Sequence, residues 1–482
     1  MNRFLKQYKS LSVVAKATIW FVFCSVIQKC ISFITVPIFT RIMTQEQYGI
    51  YNTYLSVASV VTVICTLNFE SCGYINGITK EDKSRHSDIA LNLLDLSAVI
   101  TMIVAAIYLV FHRKLNEFFG VSTLMMLLMF VEILFLPAVR FWSYKQRFEY
   151  KYTKLVVVTL AMIIMNSILG IVFIMLADSN NQALLRIAST ALVQLFFGLS
   201  FYIIFAIKSK KIFVKENWLA SIKLHLPLIP HNLSMSLLYT SDRIMISKFC
   251  GSEQTAIYSV SYSAGMVVQT LKTCIVDAIR PWIYSKIKEK NTKSVKETVT
   301  MLMIVVALLS FAFSLFAPEI IAILAPSEYG EAVYVIPPVA GSSFFMFIYH
   351  LFVSVETYYE KTGKIMEASI SAAVLNIVLN LLLIPNISYI AAGYTTLVSY
   401  GVLTFLHYRN VIKLEEEYLD GNHLFDKKAI LWVSIFVLGL IILVSFVYNF
   451  PVIRFSLIGG LIVLALVFRQ KLFFLIELIK KK

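Results

Sequence analysis

The residues of this chain that could do chemistry are a few charges set in long apolar stretches. Lys29 lies thirteen residues beyond Lys16, and Lys272 lies eight residues before Arg280. At the helical rise those intervals put the two ammonium groups about 20 Å and about 12 Å from the flanking charge. An ionised side chain at such depth costs a few kcal/mol or more unless it is paired or wet. Both lysines therefore read as functional, and fixed cations suit an anionic ligand. Carboxylates stand nearby in the pattern, Glu70 and Asp277 each toward the end of an apolar segment. Beside a cation, a carboxylate can take up or release a proton as its surroundings change. Asp242-Arg243 reads as a local pair at a helix end. Asp95, Glu132 and Glu356 are weaker candidates, and Glu356 reads as a solvated terminus.

Other chemistries lack their residues. No GxxxxGK[ST] loop, HExxH pair or GxSxG turn occurs. The six cysteines form no CxxC pair and sit mostly in apolar segments, as small packing residues do. No metal site and no bound cofactor are expected, and the connecting loops are too short to hold a catalytic domain. Transport is favoured over catalysis.

The elements that position these charges are membrane helices. Of 482 residues 59% are hydrophobic and 15% charged, with a mean hydropathy of +0.77. About fourteen apolar blocks, from 14–38 to 452–474, are each long enough to cross a hydrocarbon layer of roughly 30 Å. The second is expected at 49–75, the seventh at 222–247, the eighth at 255–279 and the tenth at 332–355. The first lacks a small-residue cleavage site and reads as a retained span. The net charge of +15 is spread over alternate loops, which argues against nucleic acid. With the N-terminus inside, 34 Lys and Arg fall on the cytoplasmic side, seven on the other side and two within spans. That asymmetry places both termini in the cytoplasm.

An internal repeat organises the spans. Arg41-Ile42-Met43 recurs as Arg243-Ile244-Met245, Glu46-Gln47 as Glu253-Gln254, and Ile50-Tyr51 as Ile257-Tyr258. The offset is 202 before the loop and 207 after it. Six spans separate the copies, so both run in the same direction, as in a parallel two-lobe transporter. The expected lobes are 1–211 and 212–410, with 411–482 carrying the last two helices. The offsets place His231 opposite Lys29 and Asp277 opposite Glu70. Polar stripes follow one face of several spans: Gln28 and Lys29 with Ser and Thr in the first, Gln269 and Lys272 in the eighth, His350 and Ser354 in the tenth. Lipid rejects such stripes, although single Ser, Thr and Gly positions, including Gly73-xxx-Gly77, fit ordinary helix packing. Pro227 and Pro230 interrupt the seventh span, and Pro37 and Pro137 mark kinks in the first and fourth.

Leu226-Pro227-Leu228-Ile229-Pro230, Ser241-Asp242-Arg243-Ile244-Met245-Ile246 and Ala256-Ile257-Tyr258 resemble the pattern of polysaccharide-transporter flippases. Pro37-Ile38-Phe39-Thr40-Arg41-Ile42-Met43 with Glu46-Gln47-Tyr48-Gly49-Ile50-Tyr51 is similarly typical. The likeness covers essentially the whole chain and is to the Wzx-type O-antigen group of the multidrug, oligosaccharidyl-lipid and polysaccharide exporters. It implies an all-α inner-membrane protein with two pseudo-symmetric six-helix lobes around a central cationic cavity, plus two appended helices. It implies flipping of undecaprenyl-pyrophosphate-linked oligosaccharide units to the periplasmic leaflet, alongside a polymerase and a chain-length regulator. Lys29, His231, Lys272 and Arg280 fit the cation role. Gln28, Gln269, Arg41, Asp242 and Arg243 are further polar positions for the cavity. Coupling to an H+ or Na+ gradient is implied too, with Glu70 and Asp277 as candidates. Rival readings are a drug/cation antiporter or a lipid II flippase of the same superfamily, and a scaffold of a polysaccharide assembly complex that transports nothing.

Overall fold

The computed structural model describes residues 12–209 and 215–467. Seventeen α-helices follow one another among these residues: α1 Val13–Ile42, α2 Gln45–Thr66, α3 Ile75–Lys80, α4 His86–Phe119, α5 Thr123–Phe148, α6 Tyr152–Met175, α7 Gln182–Lys208, α8 Lys215–His225, α9 Ile229–Phe249, α10 Ser252–Lys288, α11 Thr292–Leu315, α12 Ala317–Leu324, α13 Ile336–Tyr358, α14 Thr362–Leu383, α15 Ala391–Tyr418, α16 Lys427–Val447 and α17 Pro451–Val467. Fourteen of them have 17 residues or more, one for each expected span, although 468–474 of the last expected span lie outside the described residues; α3, α8 and α12 are short. The chain is an all-helical, multi-pass membrane protein. Ten of the helices are long and apolar enough to cross a membrane unaided; α9, α10, α15 and α17 fall outside that group.

Local chemistry sets the helix ends. Ser12, Thr44, Ser122, Asn291 and Asp426 cap α1, α2, α5, α11 and α16 by accepting backbone N–H groups of the first turn. At the other ends Tyr150, Lys290 and Glu360 take left-handed backbone just past α5, α10 and α13. The next N–H then reaches back to Gln146, Lys286 and Glu356 carbonyls, closing three tight hairpins in the same way.

Two expected spans are broken. The second does not run through 75: Leu67 and Asn68 have φ of 47° and 50°, which ends α2 at Thr66. A π-helical turn at Glu70–Tyr74 then leads into α3. The seventh breaks at a 3-10 turn, Leu226–Leu228, because Pro227 and Pro230 cannot donate the backbone hydrogen bonds of a continuous helix.

The contacts divide the chain into two compact units, Met1–Ser236 and Leu237–Lys482. In the first, α8 folds back so that Trp218 Nε1 donates to the Asn92 carbonyl at 3.0 Å, and the Gly73 N–H donates to His225 Nε2 at 3.0 Å. A Cβ on Gly73 would lie 2.7 Å from that imidazole, so this glycine is a docking point for α8. Stacked rings, Tyr74 on Phe141 and Trp142 on Phe201, fill the core beneath it.

The second unit is built around α13, which is buried along almost its whole length. Glu415 receives the Leu424 N–H at 2.8 Å and faces His423 Nδ1 at 2.7 Å, which fixes the link between α15 and α16. Burial pushes the Glu415 carboxyl up. Arg454 secures α17 by donating to both Glu319 oxygens, at 2.7 and 2.6 Å, and to the Leu315 carbonyl at 3.0 Å. Arg454→Ala is expected to loosen α17 by roughly 1–3 kcal/mol, since three charge-assisted hydrogen bonds go at once. Faster proteolysis within 451–467, with the rest of the chain unchanged, is the readout. Unchanged cleavage would show that apolar packing of Ile458 on Phe311 and Leu315 suffices.

Candidate functional site

The most completely built polar site lies in the second unit. Asp242, on α9, is 1% exposed. Its Oδ1 accepts from Asn380 Nδ2 at 2.7 Å, and its Oδ2 accepts from Tyr258 OH and Thr396 Oγ1, each at 2.6 Å. A second layer closes round these donors. Ser241 Oγ donates to Asn376 Oδ1 at 3.0 Å, Asn376 Nδ2 donates to Thr396 Oγ1 at 3.2 Å, and Thr395 Oγ1 donates to Asn380 Oδ1. α9, α10, α14 and α15 thus meet at one carboxylate. The expected local pair with Arg243 is not a direct contact: that guanidinium lies over the Tyr262 ring, 4.4 Å from its centroid, and reaches the carboxylate only through its field. Every hydrogen-bond partner of Asp242 is a neutral donor. Chemically this is a cage of oxygens and hydroxyls in which a carboxylate can hold a proton or a small monovalent cation.

A cationic seam runs along α10 against α13. Gln269 accepts from Tyr239 OH at 3.2 Å and donates to Met346 Sδ at 3.8 Å. Lys272, 3% exposed, makes no hydrogen bond through Nζ. It helps line a cavity of about 430 Å3 with Leu271, Ile275, Phe313 and Ile320, whose one other charged lining residue, Glu319, is paired with Arg454. Two turns on, Arg280 Nε donates to Ser354 Oγ at 3.2 Å, and its Nη2 stands 3.5 Å from Asp277 Oδ1. Asp277 is 59% exposed, so that pair is held loosely.

In the first unit the expected residues are more dispersed. Lys29 and Arg41 are exposed and Gln28 and His231 half-buried. Arg41 Nη1 donates to the Pro37 carbonyl at 3.0 Å. The hydroxyls of the α1 stripe, Thr18, Ser25 and Ser32, return to carbonyls one turn back. Glu70 lies on the π-helical turn, buried, and forms an ion pair with Arg140 of α5. The offset that relates Glu70 to Asp277 therefore joins a buried carboxylate to an exposed one.

Glu356 is not a solvated terminus. It is fully buried, faces His407 Nδ1 at 2.5 Å and accepts from Asn410 Nδ2 at 2.9 Å. Its place near the end of α13 was visible in the sequence. That α15 covers this end was not.

The partners of Asp242 were missed as well. Asn376 and Asn380, four residues apart in an apolar span, carry a usable signal, since i,i+4 amides share one helix face and lipid rejects them.

A family model described as polysaccharide biosynthesis protein matches residues 14–286, and a MatE model matches residues 227–382. Among curated proteins, the chain is 24% identical over 170 residues to the probable low-salt glycan biosynthesis flippase Agl15 of Haloferax volcanii. That match spans 34% of this chain and only 36% of the relative. Among solved structures it superposes on the lipid II flippase MurJ, inward closed conformation, with a TM-score of 0.71 at 12% identity, covering 94% of this chain and 100% of that one. An inward-facing multidrug resistance MATE family transporter of the MOP superfamily gives 0.54 at 14% identity, with coverage of 80% and 99%. The fold is shared with these two solved structures, and the first family model takes in more than half of the chain: this protein belongs to the polysaccharide biosynthesis protein family.

Proposed function

We propose that the chain is a flippase for lipid-linked oligosaccharide, moving undecaprenyl-pyrophosphate-linked repeat units from the cytoplasmic to the outer leaflet of the inner membrane by alternating access. Both termini lie in the cytoplasm in this reading, as the distribution of Lys and Arg supports. The observation that carries it is Lys272, a buried cation on a membrane helix whose Nζ has no protein acceptor. Such a group is matched to an anion supplied from outside, and a pyrophosphate presents several acceptors at once. Arg280, two turns away on α10, extends the same cationic seam. The family assignment and the likeness to a glycan biosynthesis flippase support a polyprenyl-linked sugar as the carrier of that anion.

Energy comes from an H+ or Na+ gradient acting through Asp242. Its cage suits the role better than the surroundings of Glu70, which Arg140 already neutralises, or of Asp277, which is open. Occupying a carboxylate that joins four helices changes their packing, so ion binding and helix arrangement are linked.

The test is leaflet accessibility of undecaprenyl-pyrophosphate oligosaccharide in vesicles, with lipid II and a cationic drug as comparison substrates. Wild type is expected to expose the oligosaccharide lipid. Lys272→Ala with Arg280→Ala is expected to slow it by roughly 10–100-fold at equal insertion, the range for losing charge-assisted contacts. Equal rates would remove the seam from the binding site. Movement of lipid II alone, of the drug alone, or of nothing would overturn the substrate assignment.

A further inference from the structure

Both units carry a polar cluster where their first, second, fifth and sixth long helices meet, and the charge at the centre is inverted between them. In the second unit the centre is Asp242, held by Tyr258, Asn380 and Thr396. In the first it is Arg186 of α7, 5% exposed. Arg186 Nη1 donates to Asn166 Oδ1 at 2.8 Å, Thr190 Oγ1 at 2.8 Å and Ser189 Oγ at 3.1 Å. The guanidinium lies over Phe39 of α1 and Tyr51 of α2, at 4.7 and 5.3 Å from their centroids. The internal repeat makes the correspondence specific. Its offset of 202 carries Thr40 onto Asp242, and its offset of 207 carries Tyr51 onto Tyr258. The carboxylate of one copy is thus a threonine in the other, while an arginine has entered from the sixth helix.

The backbone is shaped to admit it. A Cβ on Gly170 would lie 3.0 Å from Arg186 Cζ and from Nη1, so the guanidinium packs onto α6 in room that only glycine leaves. Glu132 of α5 lies within electrostatic reach of the guanidinium.

We infer that Arg186 is a tethered cation. Its guanidinium takes, covalently and permanently, the place that the second unit leaves to an exchangeable H+ or Na+. Oxygen acceptors and two aromatic faces are the surroundings that a monovalent cation selects. The first unit then takes up no ion of its own, and ion exchange is confined to Asp242. This contrast rests on the coupling role proposed for Asp242, whereas the occupancy of the first unit is tested without it.

The experiment uses the full chain in detergent, in an Asp242→Asn background, with thermal unfolding as the readout. Arg186→Ala is expected to lower Tm by several degrees. Guanidinium at low millimolar concentration is expected to restore at least half of that loss saturably, with no effect on the parent. A loss that neither guanidinium nor Na+ restores, or no loss at all, would overturn the inference. Should Arg186→Ala fail to fold, Arg186→Lys and Arg186→Gln decide: retention by Lys with loss by Gln supports a required cation, and equal stability overturns it. Because flipping is not measured, failure here leaves the transport assignment untouched, and failure of the vesicle assay leaves this inference standing.

Discussion

Asp242→Asn is expected to fold and insert like wild type while losing gradient-driven flipping by roughly 100-fold, the upper range of a single coupling free energy. The reason lies in the donor count. Asparagine keeps a carbonyl oxygen for Asn380 Nδ2, now 2.7 Å from Asp242 Oδ1. Its amide nitrogen would face the Tyr258 and Thr396 hydroxyls, which can rotate from donor to acceptor. The cage stays satisfied and only the ionisable charge goes. Asp242→Ala is different, because three buried donors lose their acceptor at about 1–3 kcal/mol each. That variant is expected to accumulate poorly. The measurement is flipping in vesicles with an imposed H+ or Na+ gradient and again without one. Asp242→Asn should give the same slow rate in both, while wild type accelerates with one ion and so identifies it. A variant that still responds to the gradient would move coupling to another carboxylate.

Arg140→Ala carries the second large effect, a loss of roughly 3–5 kcal/mol of stability, as when one partner of a buried ion pair is removed. The pair is lopsided. Glu70 has 8% of its side chain exposed and Arg140 36%. Glu70 Oε2 has no hydrogen-bond partner, so Arg140 is its main compensation. Without the arginine a carboxylate is left buried beside a broken helix. Glu70→Gln leaves an arginine that can still reach solvent, and it should cost clearly less. The double variant should recover most of what Arg140→Ala loses. Thermal unfolding of the four proteins checks this order, and Glu70→Gln matching Arg140→Ala in damage would mean that the carboxylate does more than neutralise its partner.

Which features were legible in the sequence follows from how far apart their causes lie. The helices were, since each depends on a contiguous apolar run and its own caps. The burial of Lys272 was too, because depth along a single helix can be counted. The second span was overextended because the apolar run resumes at Phe69; Asn68 admits left-handed backbone, but nothing in the side chain of Leu67 demands it. Asp242 was noticed but paired with its neighbour, Arg243. Its real partners stand between 16 and 154 positions away, and pairings of that kind depend on which helices touch. Glu356 failed for the same reason: position along α13 was readable, and the lateral cover from His407, 51 positions on, was not.

The helices that fall short of membrane hydropathy impose an order of events on the ribosome. α9 carries Asp242 and Arg243 side by side about two turns from its C-terminal end, each disfavouring insertion by up to about 2.5–3.5 kcal/mol, the cost at a helix centre. The hydroxyl and amide groups that make the carboxylate tolerable include Thr396, 147 residues after Phe249. At about 5–20 residues per second, α9 exists for roughly 7–30 s before that partner is synthesised. During that interval the nascent helix must be sheltered by the insertion machinery or left at the membrane surface. Slowing translation between α9 and α15 should therefore increase degradation of this chain, and Asp242→Asn should relieve part of that loss at the stage of synthesis.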